Sequence, residues 1–170
     1  LEEQYRTDPL AIMSRACKRH GIGCQFSLRM NDAHHTYRRN GGWYFPELQT
    51  SWFDEHPEAL LPNRTLDYVH PDVHAYRKRQ IGEVLEKYPD VTGIDLDFTR
   101  FAPWFREGEE RAGMPKMTQL VREIRGMTRQ SSKTLSARFE YDASTCIASG
   151  LDLETMLRDG EANRNPAARR

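Results

Sequence analysis

The sequence predicts an α/β fold of parallel strands joined by crossover helices, and three observations carry that prediction. Segments whose apolar residues recur at helical spacing alternate with segments of period two, in the order helix, strand, helix, strand, helix, strand, helix. The stretches between successive strands are far too long for hairpin turns, so the strands run parallel. Each strand has one apolar and one polar face, and the polar face gains charge toward the strand's C-terminal end.

Asp8-Pro9 is a helix start, and Ile12, Met13, Ala16 and Cys17 recur at helical spacing up to Gly21. Residues 22–30 then switch to a period of two. Ile22, Cys24, Phe26, Leu28 and Met30 share one face, and Gly23, Gln25, Ser27 and Arg29 the other. Residues 31–67 read as an irregular stretch rich in aromatics, histidine and turn residues. A second helix opens at Pro71, with Val73, Ile81, Val84, Leu85 and Tyr88 as its buried stripe. The second strand, 91–98, sets Ile94, Leu96 and Phe98 against Asp95 and Asp97. The third helix, 117–129, has the stripe Leu120, Val121, Ile124 and Met127. The third strand, 134–141, sets Leu135, Ala137, Phe139 and Tyr141 against Ser136, Arg138 and Glu140. A short helix at 151–158 runs into a polar tail. We expect one domain over 1–160 and a disordered tail over 161–170.

Buried parallel strands usually read as continuous apolar runs, whereas all three strands here alternate. A closed barrel explains this, with the apolar faces against outer helices and the polar faces lining the lumen. Active sites of such barrels gather at the C-terminal ends of the strands. A complete barrel takes about 250 residues and eight strands. The chain has 170 residues and three predicted strands, so the expectation is a partial (β/α)8 TIM barrel, an incomplete piece of the fold.

Lys plus Arg and Asp plus Glu number 25 each, giving zero formal net charge. No basic excess points to nucleic acid or an anionic membrane surface. Mean hydropathy is −0.80, and no apolar run approaches the roughly 18 residues of a membrane span. A chain opening on Leu1 without a leader segment reads as a processed product or a fragment. The expectation is a soluble chain, bacterial cytoplasmic or exported. Cys17, Cys24 and Cys146 are odd in number and lack CxxC spacing, which argues against a disulfide framework or zinc knuckle.

The strongest chemical signal is Gly93-Ile94-Asp95-Leu96-Asp97-Phe98. Alternation puts both carboxylates on one face, about 7 Å apart. Such a pair repels unless one member is protonated or paired, and that is how a site separates an acid from a base. The structural alternative is neutralisation by Arg29 and Arg138 from neighbouring strands.

Several segments together carry a family resemblance: Phe26 through Asp32, Leu66-Asp67-Tyr68 with His70-Pro71-Asp72-Val73, Ile81 through Leu85, Gly93 through Arg100, and Ser136-Ala137-Arg138. Over roughly residues 10–158 they resemble a bacterial family of glycosyl-hydrolase-like TIM barrels. The resemblance implies hydrolysis of glycosidic bonds in a carbohydrate by paired carboxylates, without a cofactor. Chitinase-like barrels end the corresponding motif on a proton-donating Glu; Thr99 stands there and cannot protonate a leaving group. Alpha-amylase-like barrels place an Asp nucleophile on strand four and a Glu acid on strand five, and by that analogy Asp97 and Glu140 take those places, with Asp95 assisting. Side chains at matching levels of adjacent strands would meet the gap of about 5 Å that goes with retention of configuration. A non-catalytic carbohydrate-binding relative and an inactive fragment stay open as alternatives.

The rest of the expected substrate contact falls after the first strand. Asn31, Asp32 and His34 come directly behind it and suit hydrogen bonding to a sugar, with Arg29, Arg100 and Arg138 beside them. Trp43, Tyr44, Phe45, Trp52 and Phe53 lie in the next loop, and ring faces suit the C–H surfaces of sugars. The reading for Trp43 and Trp52 is sugar stacking; the structural alternative is that they pin the loop, as Trp104 and Phe105 would. His34 and His35 diverge on any regular backbone, and His70 beside Pro71 reads as a capping residue next to His74. No metal site is expected.

Overall fold

Asp8 accepts hydrogen bonds from the backbone N–H groups of Leu10 at 3.0 Å and Ala11 at 3.2 Å, and with Pro9 in the first turn it opens α1 (Pro9–Arg19). The chain leaves this helix through Gly21, whose φ of +66° a side chain would strain. The computed structural model describes residues 8–32, 34, 38–39, 42–43, 50–100 and 102–161. Among these, α1 is succeeded by β1 (Gln25–Arg29), the short pair β2 (Arg38–Arg39) and β3 (Gly42–Trp43), α2 (Ser51–Glu55) and a 3-10 turn over Pro57–Ala59. Then come α3 (Pro71–Lys87), β4 (Gly93–Asp97), α4 (Glu110–Gln130), β5 (Thr134–Arg138), α5 (Ala143–Ala148) and α6 (Leu153–Glu161). The architecture is mixed α/β, as the alternation of periods predicts.

The three longer strands form one parallel sheet in the order β1-β4-β5, so neighbours in sequence are neighbours in space. The register makes three rows on the polar face: Gln25, Gly93 and Thr134; Ser27, Asp95 and Ser136; Arg29, Asp97 and Arg138. The other face carries Phe26, Ile94 and Leu135, then Leu28, Leu96 and Ala137. Ile94 and Leu96 are fully buried, and they share one core with Ile81 and Val84 of α3 and Leu120 and Ile124 of α4. Two crossovers stepping the same way around a sheet put their helices on one face. That leaves the charged rows on the opposite face.

Two close approaches lock the sheet and the loop after β4 in place. Gly93 lies beneath a hydrogen bond from Gln25 to Thr134, 3.2 Å long, and a Cβ there would sit 2.2 Å from the Thr134 hydroxyl. Phe105, in the loop after β4, is fully buried between Gly113 of α4 and Gly150; a Cβ on either would come within 2.2 Å or 2.5 Å of the ring.

Several sequence expectations shift. β1 and β4 are shorter at both ends than the alternation implies, and β5 stops at Arg138; Ile22 is exposed and Tyr141 wholly so, which leaves those two ends no core contact to extend the pairing. α4 begins seven residues earlier than expected, at Glu110, with Pro115 inside it. The stretch 31–67, expected to be irregular, holds a two-stranded antiparallel pair and two short helical turns. α5 has no counterpart among the predicted elements, and residues 162–170 of the expected tail lie outside the described residues.

Candidate functional site

The polar face of the sheet is organised by one guanidinium. Arg138 donates through Nε to Asp95 at 2.8 Å and lies 3.3 Å from Asp97, so a single positive charge spans both carboxylates. Asp95 also takes hydrogen bonds from Ser27 and Ser136, each at 2.9 Å, and Ser27 in turn accepts from Arg138. With three donors its oxygens are largely spent, and its work is to aim Arg138. Asp97 differs. One oxygen accepts from the Thr99 backbone N–H at 3.0 Å and the Thr99 hydroxyl at 2.6 Å, and the other lies 3.3 Å from Arg138. Burial pushes its pKa up, yet the Thr99 hydrogen bonds and the charges of Arg138 and Arg29 outweigh it, and the carboxyl is held below the ordinary range. Asp97 is therefore held ionised, and its side chain is less fully engaged than that of Asp95.

Arg29 shares a row with Asp97 but turns away, donating to Asp32 at 3.0 Å. The expected symmetrical neutralisation becomes one arginine for two carboxylates, with the second arginine acting on Asp97 only through space. Asp32 also accepts from the His34 backbone N–H at 2.8 Å and contacts the His34 ring. Burial raises its pKa, but the bonds from His34 and Arg29 win and the group is held low.

Glu140 requires a correction of placement. β5 ends at Arg138, and Arg138 is the residue in register with Asp97. Glu140 lies two residues past the strand and is exposed, and its backbone carbonyl accepts the Cys146 thiol at 3.6 Å. It is not level with Asp97, so the matched-level gap expected for retention is not formed by these two residues. Asn31 is also corrected. It is fully buried; its amide donates to the Pro103 carbonyl at 3.2 Å and its oxygen accepts from the Leu66 N–H at 3.0 Å. It ties three loop segments together and has no face toward a ligand.

Trp52 is likewise packing. It is 7% exposed and stacks on the rings of His56 and Tyr76 at 4.7 Å and 4.4 Å, which leaves no surface for a sugar. Trp104 and Phe105 are buried. Arg100 is exposed in the bend after β4. The side chain of Trp43, together with Tyr44, Phe45 and His35, lies outside the described residues. His70 caps α3, its ring accepting the Asp72 N–H at 3.3 Å, and the ring of His74 meets the Tyr68 carbonyl at 2.9 Å.

The structure also brings forward residues that the sequence motifs do not single out. Ser27, Ser136 and Thr99 complete the carboxylate network, and their signal is membership of the same alternating segments. Arg77 is buried at 6% exposure. It occupies the stripe of Val73, Ile81 and Val84 at a spacing of four, and an arginine on an apolar stripe is the signal that marks it. His56, Glu58 and Asp72 place ligand-type atoms within 4.8 Å of one another, with His56 Nδ1 3.5 Å from Glu58 and 3.9 Å from Asp72. No helix among the described residues is long and apolar enough to cross a membrane. No protein-family model matches the chain, and no curated protein matches its sequence.

Proposed function

We propose that this chain is a piece of a (β/α)8 barrel that hydrolyses glycosidic bonds, with Asp97 as nucleophile or base on the lumen side. The observation that carries the reading is the row Arg29, Asp97, Arg138 at the C-terminal end of three parallel strands, with Asp97 held ionised. Strand order equal to chain order, helices on one face and charged rows on the other are the pattern a barrel wall requires. In this scheme Arg138 and Asp95 fix the charge of Asp97, and Asp97 attacks the anomeric carbon or activates a water. A carboxylic acid from the rim after β5, with Glu140 the candidate, protonates the leaving oxygen.

A non-catalytic carbohydrate-binding relative is the second reading. It is favoured by Arg138 engaging both carboxylates and by the place of Glu140 off the row. Turnover measurements on a panel of oligosaccharides separate the two. Asp97→Asn should lower hydrolysis by roughly 10²–10⁴-fold, with the melting temperature little changed. Binding of a sugar without any hydrolysis by the parent chain would favour the second reading. Near-full activity in Asp97→Asn would remove Asp97 from the mechanism.

A further inference from the structure

Beside β1 a pocket of about 360 Å³ opens, walled by Ser27 and Arg29 of β1, Asp32 and His34 of the next loop, and Tyr76 and Arg77 of α3. Its volume falls within the roughly 300–1,000 Å³ of small-molecule sites. Its chemistry is set by Arg77. The guanidinium donates through Nε to the Tyr68 hydroxyl at 3.1 Å, through one terminal nitrogen to the Met30 carbonyl at 2.6 Å, and through the other to Gln80 Oε1 at 2.7 Å. Every one of these acceptors is neutral. No carboxylate among the described residues pairs with Arg77, although the residue is 6% exposed. A buried charge left in that state is costly, and folded proteins ordinarily match it with an anion.

The pocket does not supply that anion itself. Asp32 is the one acidic residue among its described lining residues, and Arg29 and His34 already hold both of its oxygens. Arg29 and Arg77 together outweigh it, so the pocket carries positive charge. A guanidinium has five N–H groups, and three of Arg77's are accounted for. The two that remain are one on each terminal nitrogen, charge-assisted donors for the oxygens of an anion. The pocket also adjoins the charged rows: Arg29 is in register with Asp97, and Ser27 bonds Asp95.

We propose that this pocket binds the carboxylate of an acidic sugar, a hexuronate unit, through Arg77 with Arg29 at its rim. The inference rests on the proposed action on carbohydrate and narrows it to uronate-containing glycans. Leu28, Thr50 and Phe53 complete the wall against which the sugar ring would lie.

Calorimetric titration of the full chain tests this with D-glucuronate, D-glucose, an oligoglucuronan, a neutral glucan of the same length, and inorganic phosphate. The acidic sugars should bind at least about 10-fold more tightly than their neutral counterparts, with phosphate weaker than glucuronate. That gap should vanish in Arg77→Gln. Because Arg77 also ties α3 to the end of β1, Arg29→Gln serves as the second variant and should shrink the gap without loss of fold. Equal affinity for acidic and neutral sugars would overturn the inference and leave the carbohydrate reading intact. Phosphate binding as tight as glucuronate would overturn it in favour of a general anion site. Binding of no sugar at all would overturn both readings together.

Discussion

The two margins of the sheet are held in different ways. β1 and β5 both pair with β4 over five rows in the same parallel sense. Beyond β1 the chain between Thr50 and His70 folds back as cover, burying Trp52, Leu60, Leu66 and Tyr68. Polar bonds finish that margin: Arg77 and Tyr68 both donate to the Met30 carbonyl, and Asn31 reaches Leu66 and Pro103. Beyond β5, Cys146 and Leu151 join the core, but other apolar residues are left outside. Tyr141 is wholly exposed, Ile147 is 54% exposed and Leu157 is 66% exposed. A side chain's hydrophobicity therefore says little about its worth until its neighbours are known; the chain after β1 is covered and polar-stapled, while the chain after β5 is covered only in part.

The largest test of that contrast compares two leucines. Leu66→Ala, in the covered margin at 1% exposure, should cost about 2–5 kcal/mol by denaturant unfolding. Leu157→Ala should change stability by no more than about 0.5 kcal/mol. Equal costs would erase the distinction between the margins. Gly93→Ala tests the centre. The new Cβ would press on Thr134 of β5 at 2.2 Å and 2.8 Å, but on only the amide end of Gln25, at 3.3 Å, toward β1. It should cost about 1–3 kcal/mol, and hydrogen exchange should quicken at Thr134 more than along β1.

Asn31→Ala should cost a similar or smaller amount, about 1–3 kcal/mol, by stranding the Leu66 N–H and the Pro103 carbonyl. Its exchange signature should be confined to the β1 margin. The smallest effect concerns charge. Because the folded pKa of Asp97 lies below the ordinary 3.8, its stabilisation is present above that value and is lost as pH falls through the lower folded one. Arg138→Gln and Arg29→Gln should each raise that folded value and move acid unfolding to higher pH. Arg138→Gln should do so more, since Arg138 lies 3.3 Å from Asp97 while Arg29 pairs with Asp32. Carboxyl-carbon NMR titration reads the order directly, and a larger shift from Arg29→Gln would reverse the assignment of the two arginines.

Much of this arrangement is written in local patterns. Asp8-Pro9 and His70-Pro71 announce α1 and α3 because capping and the fixed φ of proline act within a few residues. Alternation in 94–97 and 135–138 sorts both faces of the sheet, since a period of two is set by strand geometry alone. Strand ends are not legible, because burial and pairing end at different places: Met30, Val91 and Phe98 alternate like strand residues and are buried, yet lie outside the strands. Pro115 masks the first turns of α4; the helix carries it at the loss of one backbone donor. The β2–β3 pair lies in the stretch read as irregular, although Asn40-Gly41 between Arg39 and Gly42 is the dipeptide signal that could have found it. Trp52 and Asn31 have the chemistry of sugar contacts and the burial of core residues. Residue type cannot separate those roles; neighbours distant in sequence do.

The seat of Phe105 carries a consequence for ancestry. Its ring fits because neither Gly113 nor Gly150 has a side chain, and Gly150 is also held at a φ of +89°. Enlarging Gly113 demands a smaller partner at 105, and a smaller partner at 105 opens a void that growth at 113 can refill. Gly150 is not free to join that exchange, because its φ and the Glu110 carbonyl 2.9 Å from a Cβ there keep it glycine. Positions 105 and 113 are thus expected to drift as a pair in descendants of this fold while 150 stands still.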